Sequence, residues 1–436
     1  MDLTFSPLAF QTRVRMGRGS WRLAPLELVM LGGALAVILW LATTLQRNLP
    51  PWPLTLVHDP WRLWLYLALA VPLSIYVTVA VHEVGHLLVA LALGYHFVLI
   101  HVGMVGLGRT ASGLRWRRTS NNLLALRGGT IVLPQAACHS RWCELAVVAG
   151  GPLLQILWLV GLHWINGAVQ TEVIHPYLVA LLHSLTYLTF IGLCSCIIPF
   201  RFGMTATDAR HVFQLLRGGA AVERQLAVQQ LTARVFRDTS YAELDAAAIA
   251  AVITPTDGSR SSYAAQLLAA ARALSRGEAT AAAAALNQVL AFVHANPALR
   301  QAGWPFFYAA RYELAFGRGP QAARPWLACA AVVENPLLAV DLSQAWLHLE
   351  ARLLQAEGRL AAARTAAQQS LALVEQRLDW GGTQEERQGL HALLAQLPAG
   401  TPAAVWRPAS PGWRPLRTLL NSGASLVGLI VLCAFF

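Results

Sequence analysis

VHEVGHLLVALALGYH, running from Val81 to His96, sets two histidines and a glutamate within five residues of an otherwise apolar run. Polar side chains of this kind are costly to bury unless something binds them. The run belongs to the stretch Leu63 to Leu93, 31 residues long. As a helix it would measure roughly 46 Å, more than a hydrocarbon core requires. Pro72 is expected to resolve the excess by starting a span from Pro72 to Leu93, with Leu63 to Val71 as a kinked lead-in. The polar cluster then lies well inside the membrane.

Three further segments are apolar and long enough to span: Leu28 to Leu45, Leu145 to Ile165 and Ile174 to Pro199. A fifth, Leu416 to Phe436, closes the chain. The composition agrees, with 56% hydrophobic and only 13% charged residues in 436. That balance excludes an ordinary soluble enzyme and places the chain among membrane proteins. The formal charge of +11 is carried by arginine alone, because the sequence contains no lysine. No basic patch with interleaved aromatics accompanies it, so nucleic acid is not an expected partner. The arginines instead flank apolar segments, at Arg13, Arg15, Arg18 and Arg22 and again from Arg109 to Arg141. By the positive-inside rule the N-terminus, the segment after the His/Glu helix and everything from Arg201 to Pro415 face the cytoplasm. The first apolar run starts late and lacks a small-residue cleavage site, so it reads as a retained span and not as a signal peptide. Six cysteines without zinc-type spacing give no disulfide framework.

Between the His/Glu helix and the next span, FVLIHVGMVGLG, GLRWRRTS and GGTIVLP read as short strands and glycine turns, hence a small sheet. From Ala220 to about Gly400 the chain becomes alanine-rich helix. Asn296-Pro297 and Asn335-Pro336 recur 39 residues apart, and turns at Gly277, Gly317 and Gly358 recur at 40 and 41. This period suggests stacked helical hairpins of the tetratricopeptide kind. The fold class is therefore mainly α. A polytopic helix bundle with a small β insertion leads to a cytoplasmic helical-repeat domain and a C-terminal membrane helix. Its parts are residues 1–60, with the first span; 61–219, the core; 220–400, the repeats; and 401–436, the linker and last span.

His82-Glu83-Val84-Gly85-His86 is an HExxH motif. On a helix, positions i and i+4 share a face, so both imidazoles reach one metal ion, and Glu83 can take a proton from a water there. A catalytic zinc uses three protein ligands and keeps one position open, so a third donor is required. Asp208, the only acidic residue between Glu172 and Glu223, follows the fourth span and is the best placed. His96 and His101 read as interfacial or strand residues, and His175 and His183 as helix-packing residues.

HEVGH in a membrane helix, AGGP at Ala149 to Pro152, and Pro199 nine residues before Asp208 together resemble the site-2 protease family of intramembrane zinc metalloproteases. The resemblance covers about Pro72 to Gly218. It implies that His82, His86 and Asp208 bind one Zn2+ and that Glu83 is the general base of a zinc-activated water. It implies further that transmembrane or membrane-adjacent segments of other proteins are the substrates, paired as extended strands on a sheet edge. Three positions depart from the family pattern. Gln155 and Cys196 stand where the family has substrate-positioning asparagines, and Ala209 follows the aspartate in place of glycine. A rival reading is a relative that keeps the metal residues but serves as a membrane scaffold, binding partners through its repeats. Only 64 residues separate His86 from Gly150, too few for a PDZ insertion, so a peptide or protein partner would be recruited by the repeat domain. The chain is thus expected to be a multipass protein of a bacterial cytoplasmic membrane.

Overall fold

A computed structural model describes residues 2–10, 60–110, 112–118, 128–135, 140–169, 176–199, 201–202, 205–237, 239–253, 260–296, 303–330, 339–378 and 383–398. The apolar runs Leu28 to Leu45 and Leu416 to Phe436 lie outside these residues, as do both Asn-Pro pairs beyond Asn296 itself. The chain divides into two compact units. One comprises residues 19–106, 122–222 and 421–436, the other residues 1–18, 107–121 and 223–420.

The first unit is built on three long helices: α1 (Pro60–Ala92), α2 (Arg141–Val169) and α3 (Pro176–Ile197). Within them Ala68–Ala92, Arg141–Val169 and Tyr177–Ile197 are long and apolar enough to cross a membrane. Leu69, Leu88, Leu157 and Trp164 are exposed, as a surface in contact with lipid requires. Inside the bundle the polar side chains pair across helices. Thr78 and Thr189 hydroxyls lie 3.0 Å apart, and Asn166 donates to Thr186 Oγ1 at 2.9 Å.

Helix α1 corrects one expectation. Pro72 does not begin it; the helix starts at Pro60 and passes through Pro72 without interruption. A proline in the interior removes one backbone donor, and packing by neighbouring helices makes that tolerable in a membrane span. The helix ends at Gly94 (φ +75°), where the Tyr95 amide donates back to Ala90 O at 2.8 Å, a glycine stop that turns the chain into β1.

Four short strands follow, as the sequence predicts: β1 (His96–Val102), β2 (Val105–Thr110), β3 (Gly113–Arg118) and β4 (Gly128–Leu133). In the first unit β1 and β4 pair antiparallel, His96 opposite Leu133 and Val102 opposite Gly128, and β4 is an end strand of the sheet. After α3 a two-stranded ribbon, β5 (Arg201–Phe202) and β6 (Thr205–Ala206), reverses the chain into the short helix α4 (Asp208–Arg217).

In the second unit α5 (Ala220–Arg237) and α6 (Ala246–Ile253) precede three helix-turn-helix pairs. These are α7 (Arg260–Arg276) with α8 (Ala279–Ala295), α9 (Trp304–Ala315) with α10 (Pro320–Ala330), and α11 (Ala339–Ala356) with α12 (Leu360–Val374). A last helix, α13 (Thr383–Gln396), follows. The turns take left-handed glycines at Gly277, Gly319 and Gly358, so in the middle pair this conformation falls two residues after the Gly317 read from the sequence. Small alanines such as Ala282, Ala309 and Ala363 are fully buried, which lets these helices approach closely. The same core takes in the N-terminus. Phe10 sits 5.2 Å from Phe306 and 5.9 Å from Trp326, and the Thr4 amide donates to Asn287 Oδ1 at 2.7 Å.

Candidate metal centre

The site lies in the first unit, where α1, α2, α3, α4 and β4 each contribute a group. His82 and His86, one turn apart on α1, bring their Nε2 atoms to 3.0 Å. The neighbouring helix can sit against them only because it carries glycines. Gly150 of α2 faces Gly85 of α1 backbone to backbone, and a side chain on either would run into the other. A Cβ at Gly151 would stand 2.5 Å from His86 Nε2 and 2.9 Å from His82 Cε1. The AGGP sequence therefore makes room for the imidazole pair.

Asp208 arrives from far along the chain. It opens α4, where a carboxylate is favoured by the unpaired amides of a helix start. Thr207 donates its hydroxyl to Ile198 O at 2.8 Å and thereby ties the start of α4 to the end of α3. Asp208 Oδ2 then lies 3.0 Å from His82 Nε2 and 3.8 Å from His86 Nε2.

The outer nitrogens show what these atoms require. His86 Nδ1 lies 2.8 Å from Val147 O, a carbonyl that can only accept, so Nδ1 carries the proton and Nε2 presents a lone pair. His82 Nδ1 lies 3.0 Å from Gln155 Oε1, which sets the same tautomer. In that tautomer two nitrogen lone pairs and a carboxylate oxygen converge. Such a donor set suits a divalent cation. A zinc with ordinary bond lengths sets N···N and N···O separations of about 3.3 Å, which the values here bracket. The residues fit the metal.

Glu83 faces β4. Thr130 Oγ1 is 2.9 Å from Glu83 Oε2 and 3.0 Å from the Glu83 carbonyl. A Cβ at Gly128 would fall 2.7 Å from Glu83 Oε1, so the glycine leaves the carboxylate its space. Cys196 of α3 completes the surroundings, with Sγ 3.9 Å from His82 Nδ1 and 4.0 Å from Nε2. His82, Cys196 and Asp208 form a group whose ligand atoms all lie within 4.8 Å of one another.

Residues 70–302, more than half of the chain, match peptidase family M50. The chain belongs to peptidase family M50. No curated protein and no solved structure matches it. Family M50 is one of membrane metallopeptidases, generally zinc-dependent, and the span-like helices and the His/Asp convergence agree with that membership. The match continues beyond Gly218 into the second unit, further than the sequence resemblance alone reached.

In this M50 chain the structure brings together all six residues singled out in the sequence: His82, Glu83, His86, Asp208, Gln155 and Cys196. Gln155 and Cys196 stand against His82. His183 is fully buried on α3 and belongs to none of these contacts, while His101 lies in β1 beside Gly129. Sequence reasoning missed Val147, Thr130 and Gly151. Val147 acts through its backbone carbonyl and leaves no side-chain signal. Thr130 reads only as part of a glycine-flanked strand, GGT. Gly151 was visible in AGGP, yet its role depends on which helix packs against it.

Proposed function

We propose that this M50 chain is an intramembrane zinc endopeptidase that cuts transmembrane or membrane-adjacent segments of other membrane proteins. The convergence of His82 Nε2, His86 Nε2 and Asp208 Oδ2 beside a tethered Glu83 supports the reading. His82, His86 and Asp208 would hold the zinc. When bound, the ion acts as a Lewis acid that lowers the pKa of a water and polarises the scissile carbonyl.

The chain's own residues do the rest. Gln155 and the Val147 carbonyl keep both imidazoles in the tautomer that presents Nε2. Glu83 takes the proton from the attacking water and returns it to the leaving amine nitrogen. Thr130 holds Oε2 of that glutamate by its hydroxyl, leaving Oε1 for the proton. A helical substrate hides its carbonyls in its own hydrogen bonds and must unwind before attack. β4, an end strand that carries both Thr130 and Gly128, offers a backbone edge beside Glu83 on which an extended substrate can pair.

Orientation follows from packing together with charge. Leu3 and Phe10 belong to the core of the second unit, which supports one side of the membrane for the N-terminus and that unit. Among the described residues three helices are long and apolar enough to cross. The arginine distribution supports the cytoplasm as that side, in keeping with a place in a bacterial inner membrane. The helical pairs of the second unit would serve partner recruitment.

The test compares purified wild type with Glu83→Gln, measuring zinc content and cleavage of a panel of transmembrane reporters. Equal zinc with cleavage only in wild type is expected. Zinc in both with cleavage in neither would favour a scaffold, and wild type without zinc would overturn the proposal.

A further inference from the structure

We propose that a groove along the helical pairs of the second unit binds an acidic, extended segment of a partner protein, with its carboxylates against Arg311 and Arg352 and its apolar side chains against Trp304 and Phe307. This deepens the partner recruitment assigned to the helical pairs above and rests on that reading, with no step that needs the metal.

The form of the cavity follows from how the pairs stack. Its volume is about 710 Å³, and Leu274, Trp304, Arg311, Ala345, Arg352 and Leu393 are among the residues that line it. These belong to α7, α9, α11 and α13, so the first helix of each pair in turn, and then the last helix, contributes a stretch of wall. A cavity spread over four such helices suits an extended chain better than a compact molecule, because stacked helical pairs present a continuous concave surface. The α9 part of the wall is aromatic: Trp304 stands 5.6 Å from Phe307 and 6.0 Å from Tyr308. Rings of this kind offer an apolar side chain a large, rigid surface.

Charge on the lining decides the class of ligand. Arg311, Arg352 and Arg377 share the cavity with two carboxylates, Glu385 and Glu386, of which Glu385 is exposed to solvent. Glu386 is the carboxylate on which all three guanidinium groups act, and it offsets only one of them. Arg352 donates from Nε to His348 Nε2 at 3.2 Å, and His348 Nδ1 lies 2.7 Å from Glu386 Oε2. This relay fixes the Arg352 side chain while its Nη groups keep no hydrogen-bond partner among the described residues. Arg311 has neither a hydrogen bond nor a close ion pair among them. Desolvation lowers the pKa of the Arg352 guanidinium and the like charge of Arg311 lowers it further, although the residue as a whole stays exposed at the wall. An anion relieves two like charges held close in this way, and guanidinium groups favour carboxylates through paired N–H bonds. The two arginines stand on different helices, α9 and α11, so a segment with carboxylates spaced along its length satisfies both.

The experiment titrates the full chain carrying Glu83→Gln, purified in detergent so that no probe is cut, and reads fluorescence anisotropy. The probes are a short labelled peptide of alternating Glu and Leu with both ends blocked, and the same peptide with Gln at every Glu. The acidic peptide should bind, and the Gln peptide at least about tenfold more weakly. Arg311→Gln and Arg352→Gln should each weaken the acidic peptide on the order of tenfold, with helix content by circular dichroism retained. Equal affinity for the two peptides would overturn the acidic ligand and leave recruitment standing, whereas binding of neither would overturn both. Binding untouched by either substitution would also overturn the proposal. So would displacement of the peptide by free glutamate at matched carboxylate concentration, which would assign the cavity to a small anion. Should the variants fail to fold, salt decides: the affinity of the unsubstituted groove should fall as ionic strength rises, and an affinity indifferent to salt would overturn the proposal.

Discussion

Gln155 Oε1 lies 3.0 Å from His82 Nδ1, so a residue of α2 sets the tautomer of a histidine on α1, 73 positions away. Groups that orient a metal-binding histidine in this manner tune affinity strongly. Gln155→Leu keeps nearly the same volume and removes the acceptor. Its zinc affinity, measured by competition with a chromophoric chelator, should fall about 10–100-fold. An unchanged affinity would mean that His82 does not need this partner.

Gly151→Ala should act on both histidines together. Its Cβ would fall 2.5 Å from His86 Nε2 and 2.9 Å from His82 Cε1, so the imidazoles must move or α2 must withdraw. Zinc content should drop further than in Gln155→Leu, while helix content by circular dichroism stays the same. Retained zinc would show that the two helices separate easily at this point.

Phe10 anchors the N-terminus in the second unit, against Phe306 and Trp326. Truncating a buried phenylalanine leaves a cavity and costs about 3–5 kcal/mol where the site cannot collapse. Phe10→Ala should cost about 3 kcal/mol, at the lower end of that range. Protease sensitivity near residues 10–20 should rise with it. No change in either stability or cleavage would show that this segment does not hold the N-terminus to the helical pairs.

A pH dependence is built into the second unit at Glu386. Burial by itself would raise its pKa, but the hydrogen bond to His348 Nδ1 at 2.7 Å, with Arg377 and Arg311 nearby, holds the carboxyl down at about 2. A carboxylate depressed in the fold stabilises it above the unfolded value of about 4.3, and this contribution is lost as pH falls from there through about 2. Glu386→Gln should therefore lower Tm relative to wild type at pH 6. The difference should shrink steadily between about pH 4.3 and about pH 2. A gap that stays constant with acidification would rule out the ion pair as its source.

Much of this was legible in the sequence because it is local. HExxH spacing places two imidazoles on one helical face whatever surrounds them, and the apolar runs and arginines announce spans without any knowledge of packing. The strands after α1 and the glycine turns of the helical pairs were likewise readable, since period and turn chemistry act over a few residues. Pro72 marks where local reasoning ran out. A proline's intrinsic preference argues for a helix start, but neighbouring helices supplied the packing that carries α1 through it.

The sequence by itself determined that two histidines and a glutamate in HExxH spacing sit on one long apolar helix, with an aspartate after a later apolar helix. Tertiary structure alone decided how these meet. Asp208 reaches His82 at 3.0 Å across 126 positions because a two-stranded ribbon and the Thr207 tether turn α4 back toward α1. Val147 O, Thr130 and Cys196 join them through contacts between elements distant in the chain. Such contacts depend on how close two backbones can come, which here Gly85, Gly150 and Gly151 set. No periodicity along the chain encodes that distance, and for that reason the convergence of these groups is a property of the packed fold.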